Sequence, residues 1–128
     1  MPIIVEADVR RRLIITTVYG TVRDEDLLQH VAETWKKYDR STWDELMQSR
    51  GDLRVRATPA GIRKLVALVG QLTPAAAAAT HRLAIVTRME RGRELADLYH
   101  TLVTESHTEA RLFDSYADAL RWLRPETT

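Results

Sequence analysis

The sequence predicts a single α/β domain, with a mostly parallel sheet and an antiparallel strand at its N-terminal edge. Three observations predict it. The chain has 128 residues, the usual size of one domain and enough to bury roughly two-thirds of the surface its unfolded form exposes. After an opening pair of β-branched runs, short apolar runs alternate with longer stretches of helical period. Strands separated by helices need right-handed crossovers and so become parallel neighbours. The predicted order is β-β-α-β-α-β-α-β-α.

The first two strands, Ile3 to Glu6 and Leu13 to Val18, flank the charged stretch Ala7 to Arg12 and read as an antiparallel hairpin with a short polar loop. Gly20 ends it. Asp24, Glu25 and Asp26 suit the electropositive start of a helix. Leu27, Leu28, Val31, Trp35 and Tyr38 then recur at helical spacing over residues 23–38. Trp43 to Ser49 is the third strand, centred on Leu46 and Met47, and Arg50-Gly51-Asp52-Leu53 is a turn.

Thr58-Pro59 starts the second helix, with Thr as N-cap and Pro at the first helical position, where its missing N–H costs nothing. Ile62, Leu65, Val66, Val69 and Leu72 form its apolar face, and Gly70 is the first place where it can end. Thr73-Pro74 and the alanines 75–79 are low-complexity, either one more helical turn or a loose connection. Leu83 to Thr87 is a short, wholly buried strand. Helix three, over Gly92 to Glu105, buries Leu95, Leu98, Tyr99 and Leu102. A last strand from Ala110 to Phe113 leads into a helix with Tyr116, Ala119, Leu120 and Leu123 on one side, stopped by Pro125. Ser115 and Asp118 match the S-x-x-D capping box, in which hydroxyl and carboxylate satisfy backbone donors reciprocally.

Composition narrows the function classes. Apolar residues make up 45% and charged residues 29%, ordinary for a folded chain. With 19 basic and 18 acidic residues the formal net charge is +1, so no global attraction to nucleic acid or to an anionic membrane is expected. The absence of cysteine removes disulfides, thiolate nucleophiles and thiolate metal sites, and fits a reducing, cytoplasmic setting. Residues 1–5 run directly into a strand-like segment without a signal-peptide pattern, and no stretch approaches the roughly 20 apolar residues of a membrane span.

No catalytic apparatus is recognisable. His30, His81, His100 and His107 lack metal-ligand spacing, no G-x-S-x-G elbow occurs, and the glycines form no phosphate-binding loop. Neither a metal nor another cofactor is expected, and the protein reads as a non-enzyme.

Two candidate sites remain. Thr58, at a helix N-terminus where unpaired N–H groups and the helix dipole favour an anion, is a candidate phosphorylation or anion site; its ordinary role is that of an N-cap. Arg54 and Arg56 follow the third strand, and Arg88, Arg91 and Arg93 follow the fourth. They would form a basic rim beyond the carboxyl ends of the strands, where open α/β sheets bind ligands, for a phosphate, a carboxylate or an acidic partner. Trp35, Tyr38 and Trp43 cluster near the end of helix one, as core or as the gate of an apolar pocket.

The closing segment, Arg111-Leu112-Phe113-Asp114-Ser115 through Ala119-Leu120-Arg121-Trp122-Leu123, resembles the STAS / SpoIIAA-like family of small bacterial domains, as do Leu83 to Val86 and the Gly92, Leu95, Tyr99 series. The resemblance spans nearly the whole chain. It implies a superhelix of βα turns and, for the family's anti-sigma-factor antagonists, regulation by phosphorylating a hydroxyl where the central strand meets the second helix. The local counterpart is Thr58-Pro59-Ala60-Gly61, which keeps the hydroxyl and glycine without the family's acid and paired serine.

The leading expectation is a non-enzymatic regulatory or protein-interaction module resembling those antagonists. The alternative is a binder of a small apolar or lipid-like ligand, and an enzyme acting on an anionic substrate has only the basic rim behind it. Ile3-Ile4-Val5, a sparsely charged edge, makes a homodimer a further expectation.

Overall fold

The computed structural model describes residues 2–72, 80–103 and 108–127; the low-complexity run 73–79 lies outside them. The strands are β1 (Ile3–Asp8), β2 (Leu13–Val18), β3 (Thr21–Val22), β4 (Asp44–Ser49), β5 (Arg54–Val55), β6 (His81–Val86) and β7 (Thr108–Phe113). The helices are α1 (Asp24–Lys37), α2 (Pro59–Leu72), α3 (Glu90–Val103) and α4 (Tyr116–Leu123). The main sheet runs β1-β2-β4-β6-β7, with β1 antiparallel to β2 and every other pair parallel. The expected mostly parallel sheet with an antiparallel N-terminal edge is therefore the observed one. Ile4 and Val5 are exposed on the outer strand.

One addition was not expected. β3 and β5 form a separate two-stranded parallel ladder beyond the carboxyl ends of β2 and β4. Gly20 adopts a positive φ of 65° to turn the chain from β2 into β3, a conformation that costs a β-carbon-bearing residue far more than glycine.

Strand alternation sorts the core into two layers. Ile14, Leu83 and Ala110 face α1, α2 and α3, meeting Val31, Trp35, Leu65, Val69, Leu95 and Tyr99. Leu13, Leu46 and Ala84 face the other way, onto Ala119 and Leu123 of α4. Arg124 ties the end of α4 to the amino edge of the sheet, donating to Asp44 Oδ2 at 2.7 Å and to the carbonyls of Arg11 (2.8 Å) and Arg12 (3.1 Å).

Some boundaries shift. β1 extends to Asp8, α2 continues past Gly70 to Leu72, and α3 starts at Glu90, two residues before Gly92. β6 and β7 each start two residues earlier than the apolar runs indicated, at His81 and Thr108. Ser115 caps α4 by accepting from the Asp118 amide at 3.2 Å, while the Asp118 carboxylate pairs with Arg121 at 3.0 Å. The expected reciprocal box is thus seen in its hydroxyl half, because a guanidinium one turn along is a stronger partner for a carboxylate than a backbone amide.

Candidate functional site

Between the sheet and the layer of α1, α2 and α3 lies a cavity of about 120 Å³. Its walls are largely apolar: Val22, Leu27, Val31, Trp35, Met47, Leu65, Val69, Ile85 and Leu95 all line it. Towards the carboxyl ends of the strands its lining residues Gln48, Ser49, Val55, Ile85 and Val86 are half-exposed. Towards the amino ends they are buried: Arg40 (4% exposed), Glu45 (3%), His81 (4%) and Tyr99 (6%). The pocket therefore has its mouth at the carboxyl edge, the usual side for ligands of open α/β sheets, and a closed end lined with ionisable groups.

The ionisable groups of the closed end come from five places. His30 is on the inner face of α1, Arg40 in the loop to β4, Glu45 in β4, His81 at the start of β6 and Tyr99 on α3. His30 Nε2 stands 2.7 Å from Glu45 Oε2, and the Thr16 hydroxyl donates to the same oxygen at 2.6 Å. His30 Nδ1 lies 3.2 Å from the Thr34 hydroxyl. Burial pushes the His30 pKa down, but the charge and hydrogen bond of Glu45, aided by Glu33, outweigh it and leave the imidazole above its ordinary value. Burial likewise pushes Glu45 up; the His30 charge and the hydrogen bonds from His30 and Thr16 overcome this and hold the carboxyl below its ordinary range. Both directions favour the charged forms of the buried pair.

His81 donates from Nδ1 to the Trp43 carbonyl at 2.7 Å and meets the Trp35 ring edge-on at 4.7 Å. Burial first, then the Arg40 charge, depress it to about 4, against the pull of Glu45, the Trp43 carbonyl and Asp44, so it is neutral near pH 7. Burial raises the Tyr99 phenol to about 12, with Arg40 opposing, so it too is neutral. Arg40 donates to the Thr108 hydroxyl at 2.8 Å, bonds Tyr99 and lies 5.3 Å from the Trp35 ring centroid, while its buried Nε has no partner. Burial lowers its pKa, but a guanidinium stays charged at any pH the fold meets.

Thr16, His30 and Glu45 invite comparison with a nucleophile–base–acid triad, yet the geometry differs. Hydroxyl and carboxylate both approach the same ring nitrogen, at 3.5 and 2.7 Å, and the hydroxyl gives its proton to the carboxylate. A triad places them on opposite nitrogens. This arrangement holds charge and does not activate Thr16. Among the described residues no group of His, Asp and Glu has the geometry of a metal site, and no helix is long and apolar enough to cross a membrane.

None of the five arginines of the expected rim lines the pocket; Arg54 and Arg56 are exposed on either side of Val55, which does. Arg88 donates to the Asp114 carbonyl at 3.4 Å, Arg93 to the Asp114 carboxylate at 2.9 Å, and Arg91 spans from Glu94 to the Ala57 carbonyl, both at 3.2 Å. Tyr38 and Trp43 pack together at 4.7 Å, and of the aromatic cluster Trp35 is the member that lines the pocket.

Thr58 caps α2, accepting from the Gly61 amide at 3.0 Å. Its own amide and hydroxyl both donate to the Asp24 carboxylate at 2.7 Å. The chain thus supplies its own anion at this helix N-terminus, and a phosphoryl group on Thr58 would face that carboxylate.

Five strands in this order, an N-terminal antiparallel edge and helices on both faces define a SpoIIAA-like α/β fold. The crystal structure of an uncharacterized protein from the DUF3478 family with a SpoIIAA-like fold, from Shewanella loihica PV-4, matches with a TM-score of 0.62 over 94% of this chain and 93% of that one. The two are 16% identical in sequence, so the likeness concerns the fold alone. No protein-family model and no curated protein matches the sequence.

Sequence reasoning named the rim and Thr58 but missed the closed end of the pocket. One signal was present: His30 lies three residues after Leu27 and four before Thr34, on the apolar face of its helix.

Proposed function

We propose that this protein is a non-enzymatic module that takes a small apolar or amphipathic ligand into the pocket between the sheet and α1, α2 and α3. One observation carries the reading: an apolar cavity, open at the carboxyl edge, ends on a cluster of buried polar groups, the combination by which small-molecule sites hold and orient a ligand. Toluene, comparable in size to the cavity, is a suitable probe. In amide-resolved NMR it should shift Trp35, Leu65 and Ile85, and Ile85→Phe, which fills the half-exposed mouth, should abolish those shifts while the spectrum stays dispersed. Toluene that shifts nothing in the wild type, or shifts the variant equally, would refute the reading.

A second reading, a regulatory module resembling the anti-sigma-factor antagonists that binds an acidic partner surface, is favoured by Arg54 and Arg56, which are exposed with no ion pair among the described residues. Two variants separate the readings. Partner binding that survives Ile85→Phe but is lost in Arg54→Ala/Arg56→Ala places the function on the rim, and the reverse places it in the cavity.

A further inference from the structure

The carboxylates at the closed end of the pocket are already engaged. Glu45 is bound by His30 at 2.7 Å and by Thr16 at 2.6 Å, and Asp44 is held by Arg124 at 2.7 Å. Arg40 is left. Its guanidinium is 4% exposed, its hydrogen bonds go to the hydroxyls of Thr108 and Tyr99, its Nε has no acceptor, and among the described residues no carboxylate lies within ion-pair distance of it. Glu45 acts on Arg40 through its charge but makes no ion pair with it; a buried cation without a direct counter-ion is costly, and a bound anion relieves that cost.

We propose that the ligand is a small monocarboxylic acid, its carboxylate received by Arg40 at the closed end and its apolar body, one ring or a short branched chain, lying along the cavity; this rests on the pocket reading above. Charge sets the head group. One guanidinium with one unpartnered donor is matched by a monoanion, whereas a phosphate dianion would bring a second negative charge into the buried end. Geometry agrees, since the Nε edge of a guanidinium presents coplanar donors to a carboxylate. Volume sets the body. An apolar cavity of roughly 150 Å³ holds benzene; this one is smaller, about 120 Å³, so a ring carrying a carboxylate extends into the half-exposed mouth. Trp35, in contact with both Arg40 and His81, supplies an aromatic wall beside the head group.

The test compares phenylacetate with its neutral isostere phenylacetamide, and with toluene, by titration calorimetry and amide-resolved NMR on the wild-type protein near pH 7. All three should shift Trp35 and Tyr99 and compete with one another. Phenylacetate should bind at least about tenfold tighter than the amide, the ratio expected of a charge-assisted hydrogen bond. Arg40→Met, if its circular dichroism matches the wild type, should erase the preference while toluene still binds. Because Arg40 also braces Thr108 and Trp35, that variant could unfold, and the wild-type acid-to-amide ratio then decides alone. Equal affinity for acid and amide with toluene still bound overturns the head-group assignment and leaves the pocket standing, as does a preference retained in folded Arg40→Met. Acid that shifts only Arg54 and Arg56 overturns it too. Failure of all three probes overturns the pocket reading with it.

Discussion

Replacing Gly61 by alanine should destabilise this protein, although glycine to alanine within a helix ordinarily stabilises. A β-carbon at Gly61 would lie 2.0 Å from Asp24 Oδ1, 2.1 Å from Cγ and 2.6 Å from Oδ2. Asp24 would have to withdraw, giving up its two 2.7 Å bonds to the Thr58 amide and hydroxyl. Charge-assisted hydrogen bonds contribute about 1.5–3 kcal/mol each, and the lower end applies at this partly solvated site, so the loss is about 3 kcal/mol. Against it stands a helix-propensity gain of about 1 kcal/mol. The net expectation is a loss of about 2 kcal/mol, or about 8 °C in Tm for a domain of this size. Urea unfolding and thermal melts of wild type, Gly61→Ala, Asp24→Ala and the double variant form the cycle. In the Asp24→Ala background no carboxylate blocks the new methyl, so Gly61→Ala should become stabilising by about 1 kcal/mol, with a coupling of about 3 kcal/mol between the sites. A stabilised Gly61→Ala, or strictly additive effects, would refute the claim that the Asp24 carboxylate occupies the start of α2.

The remaining predictions concern the closed end of the pocket. His81 titrates near 6.5 when unfolded and near 4 when folded, so its contribution is fully present above pH 6.5 and is lost as pH falls towards 4. His81→Asn keeps a donor for the Trp43 carbonyl but cannot titrate; between pH 7 and 4 it should lose about 3 kcal/mol less stability than the wild type, and parallel urea-stability curves would count against the assignment. His30 runs the opposite way: its raised pKa stabilises below pH 6.5 and the gain fades as pH climbs through the folded value. Glu45→Ala strands that imidazole, and should cost about 3 kcal/mol while moving the His30 titration, followed by nitrogen NMR, below 6.5. A His30 titration that stays raised would show that Glu45 is not its partner.

How far the sequence could be read follows the range of the interactions. The order of elements, the N-caps at Thr58 and Ser115 and the antiparallel edge were legible, because each is encoded within a turn of helix or a few residues of strand. The arginines were legible as positions beyond the third and fourth strands, but that Arg54 opens β5 and that Arg91 lies in α3 was not, since β5 is only two residues long and α3 starts before its expected glycine. His81 and Thr108 were not, because the apolar runs begin two residues after the strands do and the polar first residues of β6 and β7 look like loop. Glu45 was masked in the same way by its apolar neighbours Leu46 and Met47.

What the sequence determined by itself is the alternating α/β order, since local periodicity and capping suffice to specify it. The contact of Arg40 with Thr108, 68 residues away, of His30 with Glu45 and of Asp24 with Thr58 was decided only by the tertiary structure. Each depends on which strands become neighbours and in what register, a property of the assembled sheet that no segment carries alone. A buried charge is tolerable only where such non-local partners converge, so the pocket's closed end could emerge only with the fold.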